Sequence, residues 1–243
     1  MKVAAIIQAR MGSTRLPGKV LKQVLGKPLL GFQIERMQRS KKIDELILAT
    51  TTEPADDALW SFANEHSISA FRGSEKDVLG RYYEAASYHK ADVVIRLTSD
   101  CPLIDPVVID EVIDAYFHQQ GACRYVSNTL ARTYPRGMDT EVFSYRALKR
   151  CHDNARSESE REHVTSYIHH HKDEFSIYNV KLEQDESHHR WTVDTAEDYQ
   201  LIKRILEHFY PGHPNFTLRD ALDFVKQYPE LSLINAHIDQ KKS

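Results

Sequence analysis

Short, nearly continuous apolar runs recur along the first hundred residues, at Val3 to Ala9, Leu46 to Thr51 and Val93 to Leu97. Runs of this length without alternation fit strands covered on both faces of a parallel sheet. Between them, helical spacing appears over Leu29 to Met37 after Pro28, Ala55 to Glu65 after Pro54, and Val78 to Tyr88, where Asp77 is the expected N-cap. Strand and helix alternate, which predicts right-handed βαβ units in a doubly wound α/β sheet, with ligands held beyond the carboxyl ends of the strands. Further along, Asp105 caps and Pro106 opens a helix over Val107 to His118. Cys123 to Ser127 reads as a strand, and Tyr134 to Phe143 as a turn followed by a strand. Helices follow at Arg146 to Ala155 and Glu158 to His171, then a strand running into a helix over His189 to Tyr199. Amphipathic helices at Ile202 to Phe209 and Leu218 to Gln227 pack on the domain, and the tail past Asn235 is expected to fray.

With 243 residues, 41% of them hydrophobic, the chain is sized for one domain over residues 1–243 with a large α/β core. The three cysteines, Cys101, Cys123 and Cys151, are odd in number and widely spaced. Neither a disulfide framework nor a zinc ribbon is expected, and a reducing cytoplasm fits. No apolar run approaches the roughly 20 residues needed to cross a bilayer, so no membrane partner is expected. A net charge of -3, without a Lys/Arg stripe interleaved with aromatics, argues against nucleic acid.

Charge is unevenly distributed. Lys2, Arg10, Arg15, Lys19, Lys22 and Lys27 all precede the first acid, Glu35. Three of them stand in the loop that follows the first strand, Ala9-Arg10-Met11-Gly12-Ser13-Thr14-Arg15-Leu16-Pro17-Gly18-Lys19. Gly12, Ser13 and Gly18 let a backbone wrap closely around an anion, and Arg10, Arg15 and Lys19 supply charge-assisted donors, which together predict a phosphate grip. The alternative is an ordinary basic surface loop. A Walker loop does not fit, because five residues separate Gly12 from Gly18 and Val20 follows Lys19; the Gly-x-Gly-x-x-Gly dinucleotide fingerprint is absent.

Two acids are candidates to complete this grip. Asp100 leaves the third strand at the same sheet edge as the basic loop, while Asp105 is committed to capping. A free carboxylate there, facing a phosphate grip, is what a magnesium ion requires. Near the other end, Thr195-x-x-Asp198 forms a capping box by itself, which frees Asp194 to serve as a second ligand. Asp77 and Arg81, one helical turn apart, are expected to pair. In the middle of the chain, Asp139 and Glu141 alternate with Met138 and Thr140 as the outer face of a half-exposed strand does, and His163 falls on a helix. His169, His170 and His171 are consecutive, so on a helix they point in different directions and cannot share one metal.

The basic loop resembles the N-terminal signature of the cytidylyltransferases that activate acidic sugars, roughly Ala-Arg-x-x-Ser-x-Arg-Leu-Pro-Gly-Lys, at all eight fixed positions. Pro135 to Phe143, Glu162-His163-Val164-Thr165 and Val193-Asp194-Thr195 are similar to runs of the spore coat polysaccharide biosynthesis protein F group, which is related to the CMP-KDO synthetases and acylneuraminate cytidylyltransferases. The likeness reaches to about Leu206. It implies a Rossmann-like nucleotide-diphospho-sugar transferase (GT-A-like) fold with a mixed, mostly parallel sheet flanked by helices. It also implies a reaction in which CTP and a keto-sugar acid give a CMP-sugar and pyrophosphate, with Mg2+ as cofactor. Ala9, Arg10, Gly12, Ser13, Arg15, Lys19, Arg81 and Ser99 then bind nucleotide, with Arg81 facing ribose or base. Arg15, Lys19 and Asp100 are catalytic, Asp100 with Asp194 hold the metal, and Asp139, Glu141 and His163 contact the acceptor. Residues 123–190 form the acceptor-binding subregion and the expected homodimer contact. Three rivals share the loop chemistry: a nucleotidyltransferase for another base or acceptor, a nucleotide-sugar-dependent glycosyltransferase, and a nucleotide-binding regulatory module. The absence of an Asp-x-Asp pair at the strand end counts against the second, and intact acids at 100 and 194 against the third.

Overall fold

The computed structural model describes residues 1–238; of the tail past Asn235 that the sequence predicts to fray, residues 239–243 lie outside the described residues. The chain opens with β1 (Val3–Gln8), a two-residue ribbon of β2 (Gln23–Val24) and β3 (Lys27–Pro28), and helix α1 (Leu29–Met37). Next come β4 (Glu45–Thr51), α2 (Asp57–Glu65), β5 (Ser69–Gly73), α3 (Val78–Tyr88) and β6 (Val93–Thr98). The middle of the chain holds α4 (Pro106–His118), β7 (Arg124–Ser127), β8 (Glu141–Ser144) and α5 (Tyr145–Asn154). Then follow α6 (Glu158–Glu162), α7 (Ser166–His170), β9 (Ser176–Asn179), α8 (Ala196–Phe209), α9 (Leu218–Gln227) and α10 (Glu230–Leu233).

Seven strands form one sheet in the order β5-β4-β1-β6-β8-β7-β9. The first four pair in parallel, β8 pairs antiparallel with both β6 and β7, and β9 returns parallel to β7. Successive residues of β1 enter opposite cores, with Val3, Ala5 and Ile7 on one face and Ala4 and Ile6 on the other. That two-sided burial is why the run lacks alternation. The chain moves outward from β1 to β4 and β5, then returns to β6 on the other side of β1. This reversal is the topological switch point at which α/β sheets hold ligands. Because Gln8 pairs with Thr98, the basic loop and Asp100 leave the sheet at the same edge.

The structure corrects four expectations. The predicted strand before Phe143 begins only at Glu141, and Glu141 is buried, 5% exposed, so it is not the outer face of a half-exposed strand. The predicted helix over Glu158 to His171 breaks at His163 to Thr165, because Val164 turns into the core and the Thr165 hydroxyl donates inward to Glu141. No sheet strand precedes Asp194. Residues 189–193 run extended, tied to the rest by the Arg136–Arg190 bridge and by the Val193 N–H donating to the Asp100 carbonyl at 2.8 Å. Asp77 caps α3 by accepting from the Gly80 N–H, but its ion-pair partner is Arg161 rather than Arg81. Arg81 instead donates to the Ser74 carbonyl.

Gly137 makes that extended segment feasible. Its φ of 104° is in the region that favours glycine, and a Cβ there would stand 2.6 Å from the Trp191 carbonyl oxygen. Gly137→Ala should therefore cost at least about 2 kcal/mol of unfolding free energy, from left-handed backbone strain plus the steric clash. Urea denaturation checks this, and a loss under about 0.5 kcal/mol would count against the close approach.

Candidate active site

Two adjoining cavities open at the switch point. The first, of about 520 Å3, is lined by all eight residues expected on the nucleotide side: Ala9, Arg10, Gly12, Ser13, Arg15, Lys19, Arg81 and Ser99. The second, of about 670 Å3, is lined by Asp139, Glu141 and His163 together with Arg96, Arg132, Arg136 and Lys172. Thr98, Asp100, His163 and Asp194 line both, so they form the seam between the two halves.

The basic loop is held open by its own backbone. The Gly18 N–H donates to the Met11 carbonyl at 3.2 Å, and Gly18 takes a left-handed φ of 65° to turn Lys19 back toward the sheet. The Met11 N–H donates to the buried Asp56 carboxylate at 2.7 Å, and Thr51 donates to the same carboxylate. Asp56 thus anchors the loop from the end of a 3-10 turn over Pro54–Asp56 that precedes α2. Among the described residues, the N–H groups of Arg10, Gly12, Thr14 and Arg15 have no acceptor. A loop with several free donors and a cationic rim is suited to phosphate oxygens.

Lys19 is the centre of the charge network. Its ammonium lies 3.2 Å from Asp100 and 2.7 Å from Asp194. Arg15 and Arg190 each reach the other oxygen of Asp194 at 3.1 Å. Burial works to lower the Lys19 pKa, and the two carboxylates outweigh it, leaving the ammonium more firmly protonated than an ordinary lysine. Burial likewise works to raise the Asp100 pKa, but Lys19, with the Thr98 hydroxyl donating at 2.6 Å, holds it below the usual aspartate range. Arg10 is only loosely tethered, 3.4 Å from Glu75.

In the second cavity, the acids are already paired. Arg132 clasps Asp139 with both of its terminal nitrogens. Arg96 donates to Glu141 across the β6–β8 pair, and Tyr125 and Thr165 donate to the other Glu141 oxygen. Burial acts to raise the Glu141 pKa, and the Arg96 charge with the two hydroxyl donors carries it below the ordinary glutamate value. By contrast, Arg136 and Lys172 have no side-chain hydrogen bond or ion pair among the described residues. Sequence reasoning missed Asp56, Arg132, Arg136 and Arg190. Asp56 follows a Pro two residues earlier, which reads only as a helix start, and Arg132, Arg136 and Arg190 stand in irregular segments, where spacing to a nearby acid predicts no contact.

The family model described as cytidylyltransferase matches residues 4–228, and the chain belongs to that family. It is 38% identical over 212 residues to the spore coat polysaccharide biosynthesis protein SpsF of Bacillus subtilis, across 83% of this chain and 85% of that one. It is 35% identical over 113 residues to the 3-deoxy-manno-octulosonate cytidylyltransferase of Geobacter metallireducens, across 46% of this chain and 44% of that one. A solved cytidylyltransferase from Leptospira borgpetersenii shares 36% identity with a TM-score of 0.91, covering 100% of this chain and 98% of its own. The fold is accordingly the nucleotide-diphospho-sugar transferase type implied by the N-terminal signature. No helix among the described residues is long and apolar enough to cross a membrane.

Glu141→Ala leaves Arg96 as a buried charge without its carboxylate, so it should cost about 3–5 kcal/mol in urea unfolding. The pH dependence follows from the depressed folded-state pKa. The Glu141 contribution is present above the ordinary value of 4.5 and is lost as pH falls through the lower folded value. Glu141→Ala should therefore narrow its stability deficit against the parent protein on acidification below that value; a deficit constant down to low pH would remove the ion pair from the account.

Proposed function

We propose that the chain is a magnesium-dependent cytidylyltransferase that converts CTP and a keto-sugar acid to a CMP-sugar and pyrophosphate, for surface polysaccharide or glycan synthesis. The observation that carries this reading is the pair of cavities sharing Asp100 and Asp194, one rimmed by the basic loop and the other by unpaired cations. CTP as donor follows from membership of the family. An acidic acceptor is supported by the unpaired Arg136 and Lys172 in the second cavity, and by the sugar acid named for the Geobacter metallireducens relative.

In this reading, Arg10, Arg15 and Lys19, with the free backbone donors of the loop, bind the triphosphate and offset charge on the departing pyrophosphate. Ser13, Ser99 and Arg81 line the same side, where the rest of the nucleotide lies. The acceptor hydroxyl attacks the α-phosphorus from the second cavity, in line with the leaving group. The protein's contribution is positioning and charge neutralisation rather than a covalent intermediate. Asp100 and Asp194 fit a hard divalent cation, because one oxygen of each already converges on a single cationic nitrogen. Magnesium bound there would neutralise phosphate charge and bring acceptor and phosphate oxygens together.

Pyrophosphate release, measured across the four nucleoside triphosphates with 3-deoxy-manno-octulosonate and N-acetylneuraminate as acceptors, tests the reading. CTP with a sugar acid should be the productive pairing, and no release with any pairing would overturn it. Asp100→Asn should lower turnover by about 10²–10³-fold while thermal unfolding stays cooperative; undiminished turnover would remove Asp100 from the reacting centre.

A further inference from the structure

Attack by an acceptor hydroxyl on phosphorus releases a proton, and the carboxylates lining the acceptor-side cavity, Asp100, Asp139, Glu141 and Asp194, are committed to other partners. Asp100 accepts from Thr98, Cys101 and Lys19. Asp194 accepts from Lys19, Arg15 and Arg190. Asp139 and Glu141 are held by Arg132 and Arg96. A carboxylate engaged by that many donors is a poor proton acceptor, because protonation would cost those bonds.

His163 is placed differently. It lines both cavities, at the seam with Thr98, Asp100 and Asp194. Its backbone is fixed on both sides: the His163 N–H donates to the Ser159 carbonyl at 2.9 Å, and its carbonyl accepts from the Ser166 N–H at 2.8 Å. Its extended backbone, φ −106° and ψ 98°, ends α6 and makes the break before α7. Among the described residues, its imidazole has no hydrogen-bond or ion-pair partner. The two histidines that follow do not share this position. His169 rests edge-on to the Tyr125 ring and His170 lies 3.5 Å from Glu160, and both line the acceptor cavity alone. A fixed backbone, an uncommitted ring and access to both substrates are what a general base needs, and imidazole is the side chain that exchanges protons most readily near neutral pH.

We propose that His163 is the general base of the transfer, an inference that rests on the transferase reading above. The imidazole takes the proton of the acceptor hydroxyl as the acceptor oxygen bonds to the α-phosphorus. The bond from that phosphorus to the bridging oxygen breaks, and its electron pair leaves on pyrophosphate. The imidazolium then gives its proton to water, so the site returns to its starting state with one proton released per turnover.

The test compares His163→Gln and His163→Ala with the parent full-length protein in pyrophosphate release, using CTP with 3-deoxy-manno-octulosonate or N-acetylneuraminate. Both variants should lose about 100-fold or more in kcat, with KM for CTP and for the acid changed less than about threefold. Added imidazole should restore His163→Ala by roughly tenfold and leave the parent unchanged. Thermal unfolding is followed alongside, and His163→Gln, which keeps most of the side-chain volume, carries the comparison where the alanine variant fails to fold. A kcat within about threefold of the parent, a loss confined to the acceptor KM, or no response to imidazole overturns the inference while leaving the transferase reading intact. A parent protein that releases no pyrophosphate with any pairing overturns both.

Discussion

The site depends on one ammonium group held between two carboxylates. Asp100 and Asp194 come from segments 94 positions apart in the chain, and each sends an oxygen to Lys19. Two carboxylates this close repel one another and resist burial, so the arrangement exists only because cations share it. Lys19 does not stand alone in this. Arg15 and Arg190 both reach Asp194, and Arg190 is itself held by Asp198, so three cations and three anions share the cluster. Of these cations, Arg15 and Lys19 line the cavity of the basic loop, together with Arg10 and Arg81. The same ion pairs also set the position of the loop. Gly18 turns the chain so that Lys19 points back at the sheet edge, and Asp56 fixes the other end at Met11.

Acid chemistry in the second cavity is of another kind. Arg96 and Glu141 lie opposite each other where the sheet changes from parallel to antiparallel, and Tyr125 and Thr165 complete the Glu141 shell. A buried pair with every oxygen engaged specifies how β8 and α7 meet β6, and removing either charge would strand the other. With Asp139 bound to Arg132, the second cavity contains neutralised acids and two uncommitted cations. Such a lining disfavours a cationic or neutral guest relative to an anionic one, because an anion alone satisfies Arg136 and Lys172.

Much of the fold is legible in local sequence. Helices over Leu29 to Met37, Val78 to Tyr88 and Leu218 to Gln227 have the boundaries that the sequence predicts, because helical spacing carries them through and Pro28 and Asp77 mark the starts of the first two. The basic loop and Asp100 are legible for a similar reason: each is a local run attached to a buried strand. What is not legible depends on partners far away in the chain. Asp77 pairs with Arg161 across 84 residues rather than with Arg81 across four, and the tie from Met11 to Asp56 spans 45. The break at His163 is invisible to periodicity, because Glu-His-Val-Thr continues a helical pattern acceptably until Glu141 claims the Thr165 hydroxyl.

Asp194 shows how a local rule and a tertiary constraint can select the same residue for different reasons. Read locally, Thr195 and Asp198 form the capping box of α8, which leaves Asp194 without a capping duty. The box is present. Yet Asp198 does more than cap: its carboxylate also accepts from the Asp194 N–H at 3.0 Å, from Arg190, and from Asn235 at 2.8 Å. Arg190, gripped in this way by Asp198, in turn holds the Asp194 side chain. The capping residue therefore fixes both the backbone and the side chain of the acid it leaves free. Burial acts to raise the Asp198 pKa, and Arg190, Asn235 and the backbone N–H together bring it below the usual aspartate range. That favours the anionic form that the helix cap and Arg190 both require. Placing an acid immediately before a capping box thus anchors it on a helix end whose own stability draws on a carboxylate beside it.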